Sequence, residues 1–153
     1  MVEYIKLKKG LVPASLVKRF SAFLIDLIIV NLVVSLPFYN YLISLGSFSS
    51  VLKSNDMVLT ILTFLIAFGL LFYFTILEWK MGQTLGKALF RLKVISSNGK
   101  ELNFFQSFLS NVTVPFSIVL LVDVIYMFFK SGHQRLFEVF AGVLVVESKV
   151  VLK

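Results

Sequence analysis

The sequence predicts an all-α membrane protein with three transmembrane segments and a small β element on its cytoplasmic side. Composition is the first observation. Hydrophobic residues make up 58% of 153 residues, charged residues only 15%, and seventeen residues are Phe. Soluble domains run at about 45–50% apolar and about 25% charged. The second is a mean hydropathy of +0.93. The third is the spacing of apolar runs near the ~20 residues that a bilayer helix needs, separated by short polar loops. The length suits one membrane domain over residues 1–153.

The first span is read over about residues 20–41. It follows Lys6, Lys8, Lys9, Lys18 and Arg19, which raises the alternative of a signal peptide. The apolar part exceeds the usual ~7–15-residue signal core and shows no small-x-small cleavage site. It also carries Asp26 and Asn31, so an uncleaved span is expected. Pro37 lies near its far end, where a helix kinks or stops. A Ser-rich polar loop is read at 44–56. The second span, about residues 57–79, is free of charge until Glu78, and Trp79 at its end reads as an interfacial anchor.

The third apolar stretch, residues 104–129, holds one charge, Asp123, and one proline, Pro115. Its length allows one crossing. Two would need roughly 40 residues. Either it crosses once, or it is re-entrant and broken at Pro115. Broken helices at membrane depth are tolerated only where protein or a wet cavity covers them.

Basic residues orient the chain. Residues 1–20 hold five Lys or Arg, 40–56 hold one, 80–103 hold five and 130–153 hold four. The positive-inside rule then gives a cytoplasmic N-terminus, an outer 44–56 loop and an inner 80–103 loop. A full third crossing would put Lys130, Arg135, Lys149 and Lys153 outside. A re-entrant segment returns the tail to the inside, the reading favoured here. Two strand candidates test this. Leu92–Ile95 precedes Asn98-Gly99, a strong hairpin-turn dipeptide, and Val143–Val146 is short and β-branched. They can pair only if the tail is inside.

Charged groups in spans are costly, about 2.5–3.5 kcal/mol each at a helix centre, and mark candidate functional sites. Arg19 and Asp26 are seven residues apart, so they share one helix face about 10 Å apart along the axis. Ala22 between them would let another helix approach closely. Arg19 can snorkel to water. Asp26 cannot reach that far and needs a partner, a proton or water. Two readings of it stay open: a proton- or cation-coupled site, and a hydrogen bond that locks helix packing. Glu78 ends the second span at the depth of Arg19, and an ion pair between them is expected. Asp123 reaches the depth of Asp26 if the tail is inside, and the two could then share a cation or a proton.

Gly82-Gln83-Thr84-Leu85-Gly86-Lys87 resembles a phosphate loop but is one residue short. Ala88 replaces the required hydroxyl residue, and no strand precedes it. It reads as a tight turn out of the second span. Gln83 or Thr84 would cap an interfacial helix, with Lys87 and Arg91 turned to lipid phosphates. His133 and Arg135 read as a basic linker attracted to headgroups.

Four stretches in order resemble the RDD family of small multi-span membrane proteins. They are Lys18–Asp26, Gly82–Lys87, Arg91–Ile95 followed by Gly99, and His133–Gly142. Arg19 and Asp26 match the arginine and first aspartate for which the family is named. Glu138 stands where the second aspartate belongs. Many members have an arginine near Ser110-Asn111, which this chain lacks. The resemblance implies an integral membrane protein, with transport as the activity it suggests.

No cysteine is present and His133 is the single histidine. Disulfides, thiolate chemistry and a histidine metal cluster are excluded within one chain, and no metal or cofactor is expected. No Ser-His-acid order appears, so an enzyme is not expected. The net charge of +7 is assigned to inner loops and anionic lipid rather than to nucleic acid. The reading is a multi-pass protein of the cell membrane, with the lipid bilayer as its first partner. It is a small ion- or proton-coupled transporter, taking a small cation or proton and working as a homo-oligomer. The alternative is a non-transporting protein that binds a partner or lipid. The candidate residues are Arg19, Asp26, Glu78, Asp123 and Glu138.

Overall fold

The computed structural model describes residues 11–46, 56–129 and 133–148. Most of the 44–56 loop, and Lys6, Lys8, Lys9, Lys53, Lys130, Lys149 and Lys153, lie outside these residues. The element order is β1 (Leu11–Pro13), α1 (Leu16–Ser35), a 3-10 turn (Leu36–Phe38), α2 (Tyr39–Ser44), α3 (Met57–Met81), α4 (Leu85–Leu89), β2 (Leu92–Ser96), α5 (Phe104–Asn111), α6 (Ser117–Phe129), α7 (Leu136–Ala141) and β3 (Val143–Ser148).

Among the described residues two helices are long and apolar enough to cross a membrane, Leu16–Ser44 and Met57–Met81. Ser15 caps the first, its side chain accepting from the Lys18 amide at 3.4 Å. Pro37 sits in the 3-10 turn that ends the regular part of the helix. Asp56 caps α3, accepting from the Val58 amide at 2.9 Å. Gly82 stops α3 in the left-handed region at φ 67° and donates its amide to the Glu78 carbonyl. A residue with a Cβ resists that conformation.

The third apolar run is broken. α5 ends at Asn111, and a turn through Val112–Phe116, holding Pro115, separates it from α6. Neither piece reaches a bilayer's thickness; the 13 residues of α6 span about 20 Å at ~1.5 Å per residue. A continuous third span is therefore not formed. Pro115 has no amide hydrogen to continue the helical ladder.

The strands form one sheet in the order β1-β3-β2. β2 and β3 pair antiparallel, with Val94 opposite Val145 and Leu92 opposite Glu147. The 92–95 and 143–146 candidates pair as expected. β1 was not visible in the sequence; it lies on the other side of β3, with Val12 opposite Glu147. The segments before α1, after α3 and at the tail therefore sit on one side of the helices.

Burial is inverted relative to a soluble domain. The buried residues of α1 are Arg19, Ala22, Asp26 and Val30, one face at steps of three and four. Phe20, Leu24, Ile28 and Leu32 on the same helix are exposed, as are Phe64, Phe68 and Phe72 on α3. A helix that hides its charges and shows its apolar side chains is suited to hydrocarbon rather than water. Two apolar clusters hold the rest. Leu92, Val94, Val143 and Val145 pack with Ala14 and Ala22. Val30, Leu70, Phe74 and Val114 join α1 to α3 and to the turn after α5.

Candidate functional site

Asp26 is the first polar centre, and it is fully buried. Tyr73 donates its hydroxyl to Oδ1 at 2.6 Å. Thr84 donates its hydroxyl to Oδ2 at 2.6 Å. The Gly86 amide donates to Oδ1 at 2.8 Å. Thr84 caps α4, accepting from the Lys87 amide at 3.2 Å, and Tyr73 accepts from the Leu85 amide at 3.2 Å. The turn after α3 is thus clamped onto α1 through one carboxylate. Gly86 makes the approach sterically feasible. A Cβ there would stand 2.2 Å from the Ala22 carbonyl oxygen and 2.9 Å from the Asp26 carboxyl. The close approach read for Ala22 is made by this turn.

The second centre is a chain of buried charges. Arg19 donates to Glu138 and to the His133 carbonyl. Arg135 donates from Nε to the same Glu138 oxygen at 2.9 Å, and its amide donates to the other at 3.0 Å. The last bond lets Glu138 cap the first turn of α7 from within. Arg135 also donates to Asn111 Oδ1 at 3.3 Å, and Asn111 donates to Glu78 Oε2 at 2.7 Å. Lys87 completes the run by pairing with the other Glu78 oxygen. Asp123 flanks it. It accepts from Thr113 at 3.1 Å and from the Phe137 amide at 3.0 Å, with the Arg135 guanidinium 4.0 Å away.

Electrostatics in this network oppose burial. Burial pushes the Glu138 carboxyl up, but the guanidiniums of Arg19 and Arg135 outweigh it and bring the group down to about 2. Burial acts to lower the Arg135 guanidinium, yet Glu138, with Asp123 and Glu78 behind it, raises it above its ordinary value. One side of the network borders a mainly apolar cavity of about 220 Å³, where Arg19, Lys87, Arg135 and Glu138 meet Phe74, Val124 and Met127.

Several sequence expectations are corrected. Arg19 does not reach water and does not pair with Glu78; it is 8% exposed and bound to Glu138. Glu78 takes Lys87 and Asn111 instead. Lys87 does not face lipid phosphates, because that ion pair buries it. Arg91 is exposed. Arg135 is no loose basic linker, since it joins two helices to Glu138. Asp26 and Asp123 hold separate sets of donors. Asn111, Tyr73 and Arg135 join the site without being singled out as candidates by the sequence. Asn111 and Tyr73 carry no charge to flag them, and the signal for Arg135 was its three-residue spacing to Glu138.

Comparison with curated proteins and with solved structures finds no match. A family model described as the RDD family matches residues 13–142. That range takes in Arg19, Asp26, the turn at Gly82–Lys87 and Glu138, and the chain belongs to the RDD family.

Proposed function

We propose that the chain is a multi-pass protein of the cell membrane that works as a small ion- or proton-coupled carrier. The continuous buried network from Lys87 through Glu78, Asn111, Arg135 and Glu138 to Arg19 carries this reading. Buried ion pairs contribute little stability relative to apolar packing. A membrane domain that keeps several of them buried is best explained by use, as a relay or a coordination site. Two spans and a broken third run do not enclose a path alone. The reading therefore includes a homo-oligomer, built through exposed faces such as Ile118, Val122 and Ile125 on α6.

In proteoliposomes carrying an internal pH dye, a sodium or potassium gradient should drive proton movement. Asp123→Asn should reduce that movement at least tenfold while leaving the elution volume unchanged. Flux equal to wild type in that variant, or none from wild type with either cation, would overturn the reading.

For orientation, the supports are the basic loops on one side and the sheet that gathers β1, β2 and β3. Tags at the two ends of the chain should be cleaved by protease from the same, cytoplasmic side. Cleavage from opposite sides would remove the proposed topology.

A second reading is a non-transporting protein that binds lipid or a partner. The saturation of Asp26 by three donors favours it, because a carboxylate so engaged serves packing. Under this reading Asp26→Asn loses assembly rather than flux.

A further inference from the structure

We infer that the polar pocket at the inner end of α3 binds the phosphodiester of an anionic phospholipid. The pocket measures about 250 Å³ and brings together Lys80, Lys93 and Lys100, with Trp79 and Gly82 in its wall. The three lysines come from the last turn of α3, from β2 and from the segment after the hairpin turn. Among the described residues none of them makes an ion pair. Two acids also line the pocket, Glu78 and Glu101. Glu78 is already committed to Lys87 and Asn111, so three lysines share the pocket lining with one other acid, Glu101.

The pocket is shaped by its own chain. A Cβ on Gly82 would stand 3.0 Å from Lys93 Cε and 3.3 Å from the Val94 carbonyl oxygen. The bare glycine lets the Lys93 stem lie across the end of α3. Lys80 alone would serve the negative end of that helix. Lys93 and Lys100 are surplus to that need, and lysine is a strong point-charge partner for phosphate.

Aromatic residues decide between a lipid and a soluble phosphate. Lys80 Nζ lies 5.7 Å from the Trp79 ring centroid, and Phe104 meets the same indole edge-on at 5.4 Å. Phe105 beside it is 82% exposed. Indole and phenyl groups at a helix end mark the headgroup level, and basic pockets at that level bind anionic headgroups. The site shares no lysine with the buried network, so it stands whether or not the protein transports.

Trp79 is the chain's single tryptophan and reports on the pocket directly. Purified protein in neutral detergent is titrated with phosphatidylglycerol or phosphatidylcholine, each brominated on its acyl chains. Quenching of Trp79 by phosphatidylglycerol is expected at a mole fraction at least tenfold lower. The double variant Lys93→Gln/Lys100→Gln should lose that preference with its elution volume unchanged. Equal quenching by the two lipids, or a preference retained by the variant, would overturn the inference. Displacement of the brominated lipid by millimolar inorganic phosphate would assign the pocket to a soluble phosphate and overturn the lipid source.

Discussion

Gly86→Ala is expected to destabilise the folded protein by about 3 kcal/mol or more. The new methyl carbon meets the Ala22 carbonyl oxygen at 2.2 Å and the Asp26 carboxyl at 2.9 Å. Neither neighbour is the free end of a flexible chain, so α4 must lift from α1. Overpacking of this kind costs about 1–3 kcal/mol. Lifting also strands the Asp26 carboxylate from the Gly86 amide and the Thr84 hydroxyl, and an unsatisfied buried acceptor adds about 1–3 kcal/mol. Thermal unfolding in detergent measures the loss. Gly69→Ala is the control, because its Cβ would meet only Val30 and Val34 at 3.6–3.7 Å. In a helix interior that change is expected to be neutral or to stabilise by about 0.5–1 kcal/mol. Equal melting of Gly86→Ala and wild type would show that the turn is not clamped as described.

Glu138→Ala is expected to cost about 3–5 kcal/mol, the usual effect of stranding one side of a buried ion pair. Here two cations, Arg19 and Arg135, lose their shared carboxylate. The same pair gives a pH signature. A carboxyl whose folded value is lowered stabilises the protein fully above its unfolded value, about 4.3. That contribution fades as pH falls toward its folded value of about 2. The stability gap between wild type and Glu138→Gln should therefore be constant above about pH 5 and close below it. A gap that persists undiminished to about pH 2 would contradict the assignment. Glu138→Asp keeps the charge but shortens the arm by one methylene, and should recover part of the loss.

Much of this fold was legible in the residues. Apolar length marked α1 and α3, and Pro115 marked the break in the third run. The Asn98-Gly99 turn beside a β-branched stretch marked β2, and the short β-branched tail segment marked β3. β1 escaped because a Leu-Val-Pro stretch is too short for a period-two signal. It is held by a partner 135 residues away in sequence, Val12 against Glu147.

At the site, the sequence named the acids but paired them wrongly. Helical spacing places Arg19 and Asp26 on one face, and both are buried there. It does not say that the partner of Arg19 stands on α7. Depth matching favoured Glu78 for Arg19, yet Lys87 lies nine residues from Glu78 and folds back across the turn first. Local chain reversal outcompetes matched depth when the loop is this short.

The sheet order constrains the timing of synthesis. Of these three strands β3 leaves the ribosome last, and it is the middle strand of the sheet. Until it arrives, β1 and β2 have no neighbour to bond to, although the helices between them can already lie in the bilayer. The newborn chain must therefore hold two unpaired edges apart and keep Arg19 without its acid until residues 138–148 emerge. Emergence of residues 138–148 is then the step that joins the sheet to the helices, and a ribosome that stops before Val143 releases helices without a clasp.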